Sequence, residues 1–178
     1  LRQQLINNKI NNIKRVFYTH NHADQTHGIN DLRIFYLKKK KRIPVYADKL
    51  TSKSLQNNFN YCFKKGSAYP PTLKIKQIKN VNNFTDSGNK LSIRVINVRH
   101  GNIESLALII NKKCAYISDV NEIYKKDFKY FKNLKYLIID CLWYRNHPSH
   151  LNLESCLKLI SEFSPKKAIL TNLHSDLD

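Results

Sequence analysis

Four apolar, β-rich runs in this chain break off into a histidine or an aspartate, and that repetition constrains the fold more than any other feature. The run 15-RVFYT-19 gives way to His20, and 91-LSIRVINV-98 is followed by Arg99 and His100. Asp119 follows 114-CAYIS-118, and 167-KAILT-171 leads to His174. Val, Ile, Tyr and Leu in short runs, several alternating with polar residues, favour strands. In layered α/β folds, sites form at the sheet edge where strand ends converge. The four ends at His20, His100, Asp119 and His174 are therefore expected to converge on one pocket.

Further strands are expected at 43–47, 73–79, 105–110 and 136–140, and helices at 2–10, 27–38, 48–63, 122–132 and 152–163. Asn111-Lys112-Lys113 suits a hairpin between 105–110 and 114–118. In the last helix Leu153, Leu157 and Ile160 repeat at helical spacing, with Asn152 as N-cap and Pro165 beyond the end. Strands mixed with helices throughout give an α/β layered class. No internal repeat or linker divides the chain, so residues 1–178 are read as one domain.

The chain begins at Leu1 and contains no Met, which is read as a fragment lacking its natural N-terminus. No run approaches the roughly 18 apolar residues of a membrane span. The first residues lack the apolar core of a signal peptide. The four cysteines, at 62, 114, 141 and 156, form no CxxC pair and read as reduced thiols of a cytoplasmic protein. A net charge of +18 with pI near 9.8 admits two explanations. It can be a surface for nucleic acid or an anionic substrate. Equally, an excess of Lys, Asn and Ile over Gly is the mark of an AT-rich genome, with 38-KKKKR-42 an ordinary solvated loop.

Seven histidines stand at 20, 22, 27, 100, 147, 150 and 174. A single histidine at a strand end is usually a surface or hydrogen-bonding residue. The cluster His20-Asn21-His22-Ala23-Asp24 differs, because three ligand types fall within five positions. In an extended segment alternate residues share a face, so His20 and His22 can reach one ion together. Imidazole and carboxylate together suit Zn, Mn or Fe better than Ca or Mg.

The segment 19-THNHADQTHGINDLR-33 resembles the signature loop of the metallo-β-lactamase superfamily, whose pattern is HxHxDH. The resemblance continues through 99-RHG-101, 117-ISD-119, 147-HPSHLNLE-154 and 171-TNLHSDLD-178, and is most like the PhnP-type branch of cyclic phosphodiesterases. It implies an αββα sandwich, here truncated at both ends. It also implies two divalent metal ions, Zn or Mn. His20, His22 and His100 would hold the first ion, Asp24 and His174 the second, and Asp119 would bridge them. Gln25 departs from the pattern, which has a histidine there. His27 either substitutes for it or is a surface residue. The matching family region supplies a substrate-facing histidine. His150 is favoured for that role, as it lies next to a helix N-terminus that would welcome an anion. His147 is either a second substrate contact or a surface residue. Arg33 and Arg99 are candidate phosphate contacts or ordinary salt-bridge partners.

The implied chemistry is metal-assisted hydrolysis of a phosphodiester by a hydroxide shared between the ions. Asp24 would orient the nucleophile, and His150 would stabilise the transition state or protonate the leaving oxygen. A small phosphodiester or nucleotide-like substrate is expected. Two alternatives stand beside this reading. One is an endoribonuclease of the tRNA 3′-processing type, which a charge of +18 would suit, although no long inserted arm is present. The other is a non-catalytic nucleic-acid-binding protein with a vestigial metal site. Oligomeric state is not readable.

Overall fold

A computed structural model describes residues 1–178 except 67–68, 79–82, 87, 89 and 178. It divides into two compact units, Leu1–Asn80 and Val81–Asp178. Each unit builds its own sheet from its own contiguous stretch of chain.

The first unit holds a parallel three-stranded sheet, β1 (Val16–Phe17), β2 (Ile43–Ala47) and β3 (Leu73–Gln77), in that order. In β2 the side chains of Ile43, Val45 and Ala47 are buried and those between them half-buried, as the strand period of two requires. These residues pack with Ile29, Leu32, Phe35, Leu55, Phe63 and Leu73 in one core. Parallel neighbours need crossover connections. Here these are helical: α2 (Ala23–Thr26), a 3-10 turn over His27–Leu32 and α3 (Arg33–Lys39), then α4 (Lys49–Asn58) and α5 (Asn60–Phe63). Asp48 caps α4, its Oδ1 accepting from the Thr51 amide at 2.6 Å. The first helix, α1, spans Arg2–Asn7. The expected strand 73–79 ends at Gln77, and its last position, 79, lies outside the described residues.

The second unit holds six strands in sequence order: β4 (Asn83–Asp86), β5 (Leu91–His100), β6 (Ile103–Ile110), β7 (Cys114–Ile117), β8 (Tyr136–Asp140) and β9 (Lys167–Thr171). β4 to β7 run antiparallel, and β7, β8 and β9 are parallel. The hairpin β6–β7 turns on Asn111 and Lys112, both at positive φ (52° and 53°), as a type I′ turn demands. The connection from β8 to β9 is α6 (Leu153–Phe163). Asn152 caps it as expected, accepting from the Ser155 amide at 2.9 Å. Its inward face, however, is Leu153, Cys156, Ile160 and Phe163, while Leu157 is 52% exposed. Phe163 stacks on Phe131 at 5.4 Å between ring centroids and takes the edge of Phe128 at 5.0 Å, tying α6 to the segment before β8.

The expected helix 122–132 is instead a 3-10 turn over Lys125–Tyr130. Positions three and four after the buried Ile123 are Lys126 and Asp127, so no apolar helical stripe forms there. Among the described residues, no helix is long and apolar enough to cross a membrane. All four cysteines are free thiols, with Cys62, Cys141 and Cys156 buried.

Candidate metal centre

In the second unit, three ligand-type side chains meet at one end of the sheet. β5 carries His100 to its last position, where it is 2% exposed. The chain then turns through Gly101 at φ +60°, a conformation that L side chains rarely adopt. A Cβ there would also stand 3.0 Å from the Ser149 side chain. The Gly101 amide donates to Asn121 Oδ1 at 2.7 Å. His100 Nδ1 donates to the Ser149 carbonyl at 2.7 Å, which fixes the tautomer and puts the ring's acceptor lone pair on Nε2.

Asp119 follows β7 after Ser118 and is 3% exposed. Its Oδ1 accepts from Asn172 Nδ2 at 3.3 Å, and Asn172 also donates to the Ser118 carbonyl at 2.6 Å. Its Oδ2 is buried with no hydrogen-bond partner among the described residues. A buried carboxylate oxygen left unsatisfied is costly unless a cation answers it.

His150 completes the group. Its Nε2 lies 4.0 Å from Asp119 Oδ1, and its ring centroid is 4.8 Å from that of His100, edge to face. His100, Asp119 and His150 each offer one donor atom, and the three atoms lie within 4.8 Å of one another. Behind His150 stands Asp140, the last residue of β8 and wholly buried. Asp140 Oδ2 accepts from His150 Nδ1 at 2.8 Å, from the Val120 amide at 3.1 Å and from the Leu151 amide at 3.4 Å. The bond from His150 leaves Nε2 as the reactive nitrogen, the arrangement that orients metal-binding and acid–base histidines alike. His100 Nε2 and the buried Asp119 oxygen without a partner fit a divalent metal ion, and His150 Nε2, backed by Asp140, stands beside them as a further donor or as an acid–base group.

Sequence reasoning named His100, Asp119 and His150 but missed Asp140 and Asn172. Asp140 was legible by the same rule, since the apolar run 136-YLIID-140 also ends in an aspartate. Asn172 gave no such signal; it holds Asp119 from a left-handed backbone position (φ 61°) just past β9. His174 is not one of the three residues that gather. It is exposed, its ring stacks on Trp143 at 5.0 Å, and its Nδ1 lies 3.4 Å from Asp176 Oδ2. His147 is exposed, with Nδ1 accepting from the Ser149 amide at 3.3 Å and its ring 5.2 Å from that of His150. Arg99 pairs with Glu122 at 3.3 Å, the ordinary salt bridge of the two expectations for it.

In the first unit the cluster after β1 turns as a tight loop. His20 is buried, and its ring meets that of His22 edge to face at 4.6 Å. His22 is the N-cap residue of α2, and its carbonyl accepts from Thr26 Oγ1 at 2.9 Å. Asp24 lies in the first turn of α2. Partial burial pushes its carboxyl up, but the hydrogen bond from Gln25, a backbone bond and the neighbouring His20 and His22 together hold it below the ordinary aspartate value. Gln25 occupies the position where a histidine was expected and donates to Asp24 Oδ2 at 2.6 Å. His27 is exposed on the 3-10 turn, with its ring edge on Phe59 at 5.8 Å. Arg33 lies over the Tyr69 ring at 4.4 Å.

Residues 1–172 match the family described as the beta-lactamase superfamily domain. Among solved structures, a diphosphatase from the PhnP family superposes with a TM-score of 0.87 at 23% identity, over 99% of this chain and 68% of that one. The metallo-beta-lactamase fold protein YhfI from Bacillus subtilis gives 0.70 at 16% identity, over 90% and 64%. The short form of human tRNase Z gives 0.67 at 14%, over 93% and 74%. At such identities the likeness is one of fold. An octanoyltransferase from Porphyromonas gingivalis is 28% identical over 175 residues, which are 97% of this chain and 34% of that protein. The chain thus spans about a third of the length of that curated relative.

Proposed function

Because the chain belongs to the beta-lactamase superfamily domain family and has the metallo-β-lactamase fold, we propose that it is a metal-dependent hydrolase acting on a small phosphodiester or nucleotide-like substrate. The observation that carries this reading is the His100–Asp119–His150 group, with Asp140 locking His150 from behind. The two ions, Zn or Mn, are assigned as the resemblance to the family implies: His20, His22 and His100 would hold one, Asp24 and His174 the other, and Asp119 both. The diphosphatase named among the structural neighbours supports a substrate with a phosphorus–oxygen bond to cleave. A reducing, cytoplasmic setting is part of the same reading, supported by four cysteines standing as free thiols.

Bound divalent ions supply Lewis acidity, lowering the pKa of water towards neutrality and neutralising phosphoryl charge. The protein's own groups do the rest. Asp119 offers the buried carboxylate oxygen that has no other partner, and Asn172 fixes its rotamer. Asp24, kept ionised by Gln25 and its histidine neighbours, orients the attacking water. His150, with Asp140 on Nδ1, presents Nε2 to the substrate, where its imidazolium form donates the Nε2 proton to the leaving oxygen. His147 and Arg33 are assigned to the substrate phosphate.

The test is metal analysis followed by turnover on three substrates: an activated phosphodiester, a cyclic nucleotide phosphate and a tRNA precursor. Cleavage of the first two alone is the expected result. Selective cleavage of the third transfers the assignment to a tRNA-processing nuclease. A protein that takes up metal and cleaves none of them, yet binds RNA with steep salt dependence, is a binding protein and the proposal fails.

A further inference from the structure

The second unit carries a basic cleft that the metal chemistry does not use. Its cavity of about 480 Å³ is lined by Arg94, Lys112, Lys129 and Lys132 around Tyr130. Register explains how the sheet side is built. Thr85 lies across from Ser92, Arg94 lies across from Ile109, and Ser92 and Arg94 share a face of β5 at the strand period of two. The fully buried Ile96 and Val98 separate this end of β5 from His100. Eight residues of strand put the two ends about 26 Å apart.

Four cations surround this cavity, and among the described residues no acidic side chain lines it. None of the four is paired with a carboxylate among the described residues. Arg94 is half-buried, its guanidinium held 4.1 Å over the Tyr130 ring, and Lys129 Nζ lies 5.1 Å from the same ring. Tyr130 therefore gathers two cations, neither of them ion-paired with a carboxylate among the described residues. The hydroxyls of Thr85 and Ser92 add neutral donors, while Ile109 and Leu134 add apolar surface. Donors and fixed positive charge suit phosphate oxygens, and apolar walls suit a sugar or base edge. The cavity is of the size that holds a small organic ligand, roughly 300–1,000 Å³.

We infer that this cleft binds a phosphate ester of nucleotide size, at a site separate from the proposed metal centre. The ester could arrive as a free nucleotide or as one unit of a nucleic-acid strand, and both present the same chemistry. The experiment titrates the intact protein by calorimetry with 5′-AMP and with an eight-nucleotide phosphorothioate strand, and with inorganic phosphate as the minimal probe. Lys112→Glu with Lys132→Glu alters exposed side chains only, so it should fold. It should weaken binding about 10- to 100-fold, the worth of lost charge-assisted hydrogen bonds, and should reduce the salt slope. Arg94→Ala should do the same and Arg94→Lys should restore part of the loss. Cleavage of a small activated phosphodiester should be unchanged in the lysine pair variant. Tight binding of 5′-AMP identifies a nucleotide site, and binding of the strand alone identifies a strand site. The inference is overturned if no probe binds. It is equally overturned if the lysine pair variant binds like wild type, or if the charge-matched control Lys158→Glu with Lys166→Glu loses as much affinity.

Discussion

Replacing Asp140 by Asn keeps the shape of the side chain and removes its charge. Three donors converge on the oxygen concerned: His150 Nδ1 at 2.8 Å, Val120 N at 3.1 Å and Leu151 N at 3.4 Å. Hydrogen bonds to a charged acceptor contribute about 1.5–3 kcal/mol each, against about 0.5–1.5 for neutral pairs. The short bond from His150 dominates, and the long one from Leu151 adds little. The amide NH₂ must also take the place of Oδ1, which is buried without a partner. A loss of about 1–3 kcal/mol follows, or roughly 2–12 °C in Tm at about 2–4 °C per kcal/mol for a chain of this size. The effect on turnover should be larger. A histidine deprived of its supporting carboxylate loses its fixed tautomer and orientation, and removing such partners typically costs about 10- to 100-fold. The fall should lie in kcat, with KM and metal content near wild type, measured well below the variant's Tm. Because Asp140 acts through His150, the double variant with His150→Ala should be no slower than His150→Ala alone. If the folded, metal-replete Asp140→Asn variant turns over like wild type, or its loss multiplies with that of His150→Ala, Asp140 has no part in positioning.

Asp119→Asn should abolish metal uptake, by elemental analysis. It should also raise the Tm of the metal-stripped protein, because it removes a buried carboxylate oxygen that has no other partner. Gln25→His should tighten the weaker of two metal affinities in a titration. His27→Ala should lower that weaker affinity further, as the loss of the residue that substitutes for the histidine Gln25 replaces; equal, tight binding at both sites in the variant excludes a ligand role for His27. Stability should decline as the pH rises above about 9, followed by denaturant unfolding. Burial pushes the Cys156 thiol up from 9.0 to about 12, and raises Cys141 and Tyr18 as well. The folded state then holds protons that the unfolded chain releases, so the stability is intact below the unfolded values and is lost towards the folded ones. Phe163→Ala should lower stability by about 3–5 kcal/mol, the usual result of emptying a wholly buried aromatic site.

The boundaries of β2, β8 and β9 were legible to the residue, because β2 and β9 are compact apolar runs flanked by polar chain and Asp140 breaks the apolar run of β8. β1 shrinks to Val16–Phe17, since pairing stops before the ligand-bearing loop begins, although Tyr18 still donates to the Tyr46 carbonyl. β4 was invisible: the described part of 83-NFTD-86 has neither apolar alternation nor β-branched density, and the strand exists through its pairing with β5. Spacing groups Leu153, Leu157 and Ile160 on one helical stripe but cannot say which of two adjacent apolar stripes the sheet will take, and Leu157 is left exposed. The site was legible where a ligand-type residue follows an apolar run, as at His100 and Asp119. It was illegible at Asn172, whose role depends on a backbone turn and on a partner 53 positions away.

Among the described residues, each sheet takes its strands from one uninterrupted stretch of chain, and this sets an order of events during synthesis. The first sheet has its last strand at Gln77, before any strand of the second has been translated. At about 5–20 residues per second, the ribosome leaves the first unit several seconds or more to collapse before the other is finished. Among the described residues, its three parallel strands need only their own helical crossovers to pair with one another. Pulse-labelled hydrogen exchange on stalled chains should therefore find amides of β2 and β3 protected while β8 and β9 are still unmade.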